Sequence, residues 1–341
     1  MRGARGLTFA AMFCLALALP RFATCGTYSN FDVPGSTRVI PQAVNNTGQT
    51  TGWWSDSAGL NHSFLFQPDG VVTTFDASLG QDTIALSING PGKIVGYYTG
   101  TDKLWHGFLR NLAGEFTTIN APGAGCLGTW ALSINDSGEI AGGYWDSTCA
   151  AHAFVRDASG NYTTFDIPGN TEVSNAALNQ SGEVAGSYYS TSGNSSAPHG
   201  FTRDTLGNIV TFDAVLDDYY TVVASVNATG QIAGYYALAP NAGEYPYFRD
   251  ASGNITTFSV SGFYYVAGIK DNGDVVGIYE ATNYTYRGWL RNSAGAISSF
   301  KDPSAGEGLN RGTYPTCVSG SGYVAGYYVD SKKAKHGFVL Y

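Results

Sequence analysis

Charged residues are scarce in this sequence, and positive charge is scarcer than negative charge. Only 13% of the 341 residues are charged, and 18 basic residues stand against 26 acidic ones, which gives a net charge of -8. Nucleic acids and anionic membrane surfaces are polyanions that attract basic proteins, so we expect neither as a partner. Cysteine is also rare, with five in the whole chain. A scaffold held by disulfides would need more, so the fold must depend on packing.

Long apolar runs are missing too. No stretch approaches the roughly 20 residues that a membrane-spanning helix needs, so we expect no transmembrane segment in the mature chain. The longest run, Leu7–Leu19, follows two arginines and precedes small residues, which is typical of a secretory signal peptide. We therefore expect residues 1–25 to be a signal peptide and residues 26–341 to be one domain of a secreted or periplasmic protein. A lipid anchor at Cys25 is the less favoured alternative.

Glycine and aromatic residues are plentiful instead, with 45 Gly, 23 Tyr and 18 Phe. Many belong to a repeated turn, Asn-x-x-Gly, followed by apolar residues and a second glycine, as in Asn89–Gly96. The turn returns every 43 to 49 residues. Such a period is typical of propellers and solenoids, whose units must stack to bury their faces. The first glycine of the turn is Gly48, Gly92, Gly138, Gly182, Gly230, Gly273 and Gly322.

Each period contains four short apolar or alternating runs separated by Gly and Asn, which predicts four β-strands. In the second unit these strands, called a to d, are Thr83–Ile88, Ile94–Thr99, His106–Arg110 and Phe116–Asn120. The Asn-x-x-Gly lies between a and b, because glycine accepts the positive φ that a tight turn demands. We therefore expect an all-β fold with four strands per unit.

The strand order predicts how the units close. Seven turns and seven c strands occur, but the chain stops just after strand c of the last unit. The missing d strand is found at the other end of the chain, in Tyr28–Asp32. A last blade that is completed by the N-terminal strand leaves no free sheet edge, and an open solenoid does not need this offset. The sequence therefore predicts a seven-bladed β-propeller closed by its N-terminal strand.

Strand c begins with a histidine, a small residue and a phenylalanine, as in His152-Ala153-Phe154. In this motif the chain resembles the extracellular repeat family named for its His-Ala-Phe triplet (the HAF repeat), and the resemblance covers nearly the whole mature chain. It implies a secreted, β-propeller-like repeat protein from a family whose members mostly lack an assigned activity. The motif phenylalanines are Phe64, Phe108, Phe154, Phe201 and Phe338.

Four of the histidines precede an Asp or Asn at the end of strand d by 14 residues, and the two are expected to face each other across the hairpin. Where the histidine is replaced, the acid is replaced as well, giving Tyr245 with Ser259 and Arg287 with Lys301. We therefore expect a structural hydrogen bond. A metal site or catalytic dyad is less favoured, because the pairs are spread around a ring. The pairs are His62–Asp76, His106–Asn120, His152–Asp166, His199–Asp213 and, across the chain ends, His336–Asp32.

Three cysteines carry predictions of their own. Cys126 and Cys149 fall in loops at the same end of the third unit, so we expect a disulfide between them in an oxidising compartment. Cys317 occupies a position of strand a where all units have a small residue. This predicts a buried free thiol rather than a reactive one.

The connections between strands differ at the two ends of each unit. The a–b and c–d turns keep a constant length and share one face, the uniform face. The b–c and d–a loops vary in length and share the other, the variable face. Binding residues favour variable loops on a rigid scaffold. The charged and aromatic loop residues that suit a glycan or protein ligand are Trp130, Asp217, Asp218, Tyr219, Tyr220, Glu307, Arg311 and Tyr314.

No catalytic motif rises above the repeat: the sequence has no Gly-x-Ser-x-Gly elbow, no His-Glu-x-x-His and no phosphate-binding loop. We therefore assign no catalytic residue, no metal and no cofactor. We expect a monomer that acts as a binding or scaffolding module through the loops of its variable face. The alternative is a propeller hydrolase or lyase that acts on extracellular polysaccharide with carboxylates from that face. Two loop carboxylates in a deep central pocket would favour the enzyme.

Overall fold

The computed structural model describes residues 26–341 except for 79–80, 168–169, 191–196, 217 and 241. The expected signal peptide, residues 1–25, lies outside the described residues. Every regular element of the described part is a β-strand, so the prediction of an all-β fold is confirmed. No helix among these residues is long and apolar enough to cross a bilayer.

The described residues form 28 strands, which fall into seven groups of four antiparallel neighbours. Strand β1 (Tyr28–Phe31) comes before group 1 in the chain. Group 1 contains β2 (Arg38–Val44), β3 (Thr50–Ser55), β4 (Asn61–Phe66) and β5 (Val72–Phe75). Group 2 contains β6 (Thr83–Ile88), β7 (Ile94–Thr99), β8 (Trp105–Arg110) and β9 (Phe116–Ile119). Group 3 contains β10 (Ala124–Ile134), β11 (Ile140–Asp146), β12 (Ala151–Arg156) and β13 (Tyr162–Phe165).

The remaining groups follow the same order along the chain, except at the end of the last one. Group 4 contains β14 (Asn170–Leu178), β15 (Val184–Ser190), β16 (Pro198–Arg203) and β17 (Ile209–Phe212). Group 5 contains β18 (Tyr220–Val226), β19 (Ile232–Ala237), β20 (Glu244–Arg249) and β21 (Ile255–Thr257). Group 6 contains β22 (Phe263–Ile269), β23 (Val275–Glu280), β24 (Thr285–Arg291) and β25 (Ile297–Phe300). Group 7 contains β26 (Arg311–Val318), β27 (Val324–Val329), β28 (Lys335–Leu340) and β1.

The turn between the first two strands of a group depends on two residue types. Gly48 has a φ of +84°, a conformation in which only glycine is free of strain. Asn45 closes the same turn, because its Oδ1 accepts the backbone N–H groups of Thr47 (3.1 Å) and Gln49 (3.0 Å). Its Nδ2 donates to the carbonyl oxygen of Asn89 in group 2, at 3.0 Å. The repeated asparagine therefore holds its own turn and also links it to the next group.

The second glycine of the repeat occupies a place without room for a side chain. In group 3 this residue is Gly142, and a Cβ there would lie 2.3 Å from the carbonyl oxygen of Trp130 and 2.6 Å from the Phe154 ring. The carbonyl comes this close at a β-bulge in β10, where the register of the β10–β11 pair shifts. Phe154, from the His-Ala-Phe triplet, lies opposite Gly142 and is fully buried. The glycine and the phenylalanine of the repeat thus form one packing unit.

The two ends of the chain lie in the same sheet. Strand β1 pairs antiparallel with β28, with Phe31 opposite Gly337. The Phe31 ring stacks on Phe66 of group 1, with centroids 4.3 Å apart. A hydrogen bond also links groups 7 and 1, since Thr316 Oγ1 donates to the carbonyl oxygen of Pro41 at 2.7 Å. The N-terminal strand therefore completes group 7, and the last group contacts the first.

A cavity of about 510 Å³ lies between the groups, and the first strand of each of the seven contributes to its walls. Small side chains line much of it, among them Ala43, Ser87, Ser133 and Cys317. Cys317 is buried and has no disulfide partner. Burial raises the pKa of this thiol to about 12, so it stays protonated at neutral pH. The small residues that recur in strand a thus face a single shared space.

Cys126 and Cys149 form a disulfide, with Cα atoms 5.5 Å apart. Cys126 belongs to β10, and Cys149 lies in the turn that follows β11. The bond closes a loop between residues 23 apart in sequence, for which the chain-entropy model gives about 3 kcal/mol of stabilisation. It ties the start of group 3 to a loop on the variable face.

Candidate functional site

Each of the five histidines directs Nδ1 toward the residue that follows the fourth strand of its group. The acceptor is a carboxylate oxygen in four groups and the Asn120 side-chain oxygen in group 2. The last pair joins the N-terminal segment to β28. The distances are 3.0 Å for His62–Asp76, 2.9 Å for His106–Asn120, and 2.7 Å for His152–Asp166, His199–Asp213 and His336–Asp32.

A second acid approaches Nε2 of four of these rings, and the sequence did not reveal it. His152 Nε2 lies 3.4 Å from Asp146 Oδ2. Asp146 also closes its own turn, because Oδ1 accepts the backbone N–H groups of Thr148 (2.8 Å) and Ala150 (2.9 Å). The acid precedes the histidine by six residues in three groups and by four in group 2, so no fixed spacing marks it. The other contacts are Asp56–His62 (3.6 Å), Asp102–His106 (3.1 Å) and Asp330–His336 (3.6 Å).

An aromatic ring of the second strand covers each histidine. Tyr144 stacks on His152 with ring centroids 5.0 Å apart and an interplanar angle of 26°. Group 5 lacks the histidine but keeps the contact, between Tyr236 and Tyr245 at 5.7 Å. The aromatic residue thus supports the outer hairpin of its own group. The same contact joins Trp54 to His62, Tyr98 to His106, Tyr188 to His199 and Tyr328 to His336.

The ion pair of His152 should make stability depend on pH. Partial burial lowers the pKa of His152, but its hydrogen bonds and attraction to Asp166 and Asp146 outweigh this and raise the pKa above its ordinary value. The stabilisation of the fold by charged His152 is therefore full below about pH 6.5 and is lost as the pH rises through the folded-state pKa of His152. A hydrogen bond from Thr148 and further donors lower the pKa of Asp146 to about 2, so its contribution is lost between about pH 4 and that value.

We expect His152→Gln to lower the melting temperature more at about pH 5.5 than at about pH 8.5. The loss in free energy of unfolding should be about 1 kcal/mol, because Asp166 is largely exposed and water screens the pair. Thermal melts of both proteins across this range measure the effect. The control is His152→Tyr with Asp166→Ser, which copies group 5 and should melt with a weaker dependence on pH. An equal loss at both pH values for the glutamine variant contradicts the prediction.

Group 6 replaces the histidine and aspartate by two cations that share one anion. Glu307 Oε1 lies 2.7 Å from Lys301 Nζ and 3.7 Å from a guanidinium nitrogen of Arg287. The hydrogen bond from Lys301 lowers the pKa of Glu307. Arg311 donates to the backbone oxygen of Glu307 at 3.1 Å. The two loop residues singled out in the sequence, Glu307 and Arg311, are thus in contact and hold the loop on group 6.

The acidic loop before group 5 is also held by internal bonds. Asp217 lies outside the described residues. Asp218 is half-buried, and its Oδ2 accepts the hydroxyl of Thr221 at 2.5 Å and the backbone N–H of Ala214 at 3.2 Å. Burial raises the pKa of Asp218, although the bond from Thr221 opposes this. The carboxylate therefore fixes the path of the loop as it enters β18.

The two tyrosines of this loop contact each other and their own group. The rings of Tyr219 and Tyr220 are 5.9 Å apart, and Tyr220 lies edge-on to Tyr235 at 6.4 Å. The Tyr220 hydroxyl donates to Glu244. Burial, followed by this bond, raises the pKa of Tyr220. Both rings are half-buried, so each keeps part of its surface in solvent.

Trp130 belongs to a tryptophan cluster on the variable face of groups 2 and 3. It is only 9% exposed, and its ring centroid lies 3.8 Å from that of Trp145 and 6.0 Å from that of Trp105. Trp105 is 36% exposed and lines a small cavity of about 150 Å³ together with His106 and Asn120. The exposed member of the cluster is therefore Trp105 and not the predicted Trp130.

Tyr314 lies in a row of four aromatic rings, the tyrosine row, that runs from group 6 to group 7. Tyr264, which is 53% exposed, contacts Tyr286 at 5.1 Å. Tyr286 contacts Tyr314 at 4.9 Å, and Tyr314 stacks on Tyr327 at 4.7 Å with an angle of 8°. Only Tyr314, which is buried, was predicted, since the other three rings of the row come from three other strands. The predicted residues that the structure describes thus occupy three areas of the variable face.

No family model and no curated protein matches the chain. A structure from a study of two prolyl endopeptidases is similar with a TM-score of 0.58 at 11% identity, over 88% of this chain and 46% of that one. That similarity concerns the fold alone. The fucose-specific lectin of Aleuria aurantia, described as a six-bladed β-propeller, is similar with a TM-score of 0.45 at 14% identity, over 81% of this chain and 98% of the lectin.

Proposed function

We propose that this protein is a secreted, seven-bladed β-propeller, closed by its N-terminal strand, that binds carbohydrate on its variable face. Seven four-stranded groups that share one cavity support this architecture, because a propeller arranges its blades around a central channel. The pairing of β1 with β28 and the contact between groups 7 and 1 support closure. Each group is then one blade.

Export is supported by two features of the chain. The apolar N-terminal segment, Leu7–Leu19, is typical of a signal peptide, whose removal would leave a mature protein of residues 26–341. The disulfide between Cys126 and Cys149 fits an oxidising compartment, either outside the cell or in a periplasm. The resemblance to the His-Ala-Phe repeat family points in the same direction.

The tyrosine row is the observation that carries the binding proposal. Its rings contact one another from Tyr264, which faces solvent, to Tyr327 in the next blade. A tyrosine offers an apolar ring face together with a hydroxyl. This suits a pyranose, which is apolar on its C–H face and hydroxylated at its rim. Three of the four rings keep surface in solvent, since Tyr264 is exposed and Tyr286 and Tyr327 are half-buried, whereas Tyr314 is buried. The three accessible rings offer a surface for more than one sugar unit, which favours a polysaccharide ligand.

The loop carboxylates favour binding over hydrolysis. A glycoside hydrolase needs two carboxyl groups facing one bond of the substrate. Asp218 instead accepts hydrogen bonds from Thr221 and its own loop, and Glu307 pairs with Lys301. Each carboxylate is held by a structural partner, and the two pairs belong to different blades. We therefore propose that this face binds a ligand and does not hydrolyse it.

A glycan array with the mature protein tests the proposal. We expect binding that the double substitution Tyr264→Ala and Tyr286→Ala weakens by at least about tenfold, since truncated aromatic anchors commonly cost this much. The control is Tyr341→Ala, which removes an exposed tyrosine from the uniform end of β28. Melting temperatures confirm that all variants are folded. Absence of binding to any glycan, or equal binding by the double variant, overturns the proposal.

A further inference from the structure

Two cations lie beside the tyrosine row, where blade 7 meets blade 1. Arg38 is the first residue of β2 and Lys335 the first of β28, so both stand at the variable end of their strands. Strand β2 contacts β27 and β28 along this junction. Lys335 Nζ lies 4.7 Å from the centroid of Tyr327, the last ring of the row. Lys335 therefore adjoins the last ring of the row, and Arg38 begins the neighbouring strand β2.

Aromatic rings hold both cations in place. Arg38 Cζ lies 4.7 Å above the ring of Trp53, and Lys335 lies over Tyr327 at the same distance. A cation over a ring face is attracted by the ring quadrupole, which restrains the side chain without neutralising its charge. Such cations keep their N–H donors for another partner. Arg38 is exposed and Lys335 half-buried, so a ligand in solvent can reach the first and contact the second.

Neither cation has a counter-ion in the described part of the chain: no described carboxylate oxygen lies within 4.0 Å of the charged nitrogens of Arg38 or Lys335. Blade 6 differs, because Arg287 and Lys301 there share Glu307 as their counter-ion. Burial, and then the nearby charge of Arg38, lowers the pKa of Lys335. Two like charges thus stand at the same end of two contacting strands without an anion among the described residues, in a protein whose net charge is -8.

We propose that Arg38 and Lys335 form an anion subsite at the end of the tyrosine row, so that the ligand is an anionic polysaccharide bearing carboxylate or sulfate groups. This inference rests on the proposed function of the row. The guanidinium group can bind either anion through two parallel N–H···O bonds, and the ammonium group adds a point charge. An anion bound there relieves the repulsion between the two cations. The rings contact the sugar, and the cations select its charge.

Calorimetric titration with matched oligosaccharides tests the subsite. The probes are tetragalacturonate, its neutral methyl ester and a sulfated galactan tetrasaccharide that lacks carboxylates. We expect at least one anionic probe to bind about tenfold or more tightly than the neutral ester, because charge-assisted hydrogen bonds contribute that much. The two anionic probes separate a carboxylate ligand from a sulfate ligand. Higher salt should weaken only the anionic probes.

Substitution of the two cations completes the test. Arg38→Gln with Lys335→Gln should abolish the preference for the anionic probe and leave the affinity for the neutral ester unchanged. The control, Lys93→Gln with Lys103→Gln, makes the same change in net charge away from the row and should keep the preference. Equal binding of neutral and anionic probes, or a preference that survives the Arg38 and Lys335 changes, overturns the subsite alone. Failure of all probes to bind overturns the subsite and the proposed function together.

Discussion

Replacing Phe154 with alanine is expected to lower the free energy of unfolding by about 3–5 kcal/mol, the range for removal of a buried aromatic ring. Phe154 is 0% exposed and belongs to a core cluster with Val95 and Ile119 of blade 2. The space left behind would lie between two blades whose strands are fixed by their own hydrogen bonds. The site can therefore collapse only slightly. Equilibrium unfolding in urea, with midpoint and slope both fitted, measures the loss.

Phe116→Ala is the matched control, because it removes the same ring from a partly exposed position. Phe116 lies in β9 and is 38% exposed. We expect it to cost about 1 kcal/mol, as for a residue that keeps much of its contact with water. A loss at Phe154 no larger than that at Phe116 would contradict the view that the phenylalanine of the triplet is the main packing residue of its blade.

The parts of the fold that could be predicted are those in which the backbone conformation or the available space admits only one type of residue. Gly48 is needed for a positive φ, and Gly142 because a Cβ would meet the Trp130 carbonyl oxygen. These requirements recur in each repeat, so the spacing of glycines indicates the strands. The histidines and their acids could be paired for a similar reason. Both ends of a short hairpin of constant length are set by its turn.

The candidate site could be predicted only in part, because its contacts cross between blades. Tyr286 and Tyr314 contact each other from two different blades. Arg38 and Lys335 begin two contacting strands only because the first and last blades are neighbours. Charged loop residues that the other repeats lack predicted the binding residues less well than the repeat predicted the strands. Glu307 departs from the repeat and pairs with the two cations that replace the histidine and aspartate of blade 6. A residue that departs from the repeat can thus serve as the counter-ion of another replaced residue, and need not belong to a binding site.

Removal of residues 26–32 from a chain of residues 26–341 is expected to destabilise the fold more than any single substitution. It deletes β1 and with it Phe31, which stacks on Phe66 across the junction of blades 7 and 1. The loss should exceed the about 3–5 kcal/mol of one buried phenylalanine, since strand pairing with β28 is lost as well. The exposed edge of β28 should also promote aggregation. Urea unfolding and light scattering of the truncated chain measure both effects.

A circular permutation separates the role of the strand from the role of chain order. Thr27 and Tyr341 exchange backbone hydrogen bonds at 2.8 and 3.2 Å. In the corresponding turn of blade 3, the backbone N–H of Asp157 donates to the carbonyl oxygen of Asn161 at 2.9 Å. Gly26 then takes the place of the turn glycine, so two residues, Ala-Ser, suffice to join Tyr341 to Gly26. A chain that runs from residue 36 to 341, through this linker, to residues 26–35 should recover the stability lost on truncation. If the permuted chain is as unstable as the truncated one, or if truncation has no effect, the ring is not closed by its N-terminal strand.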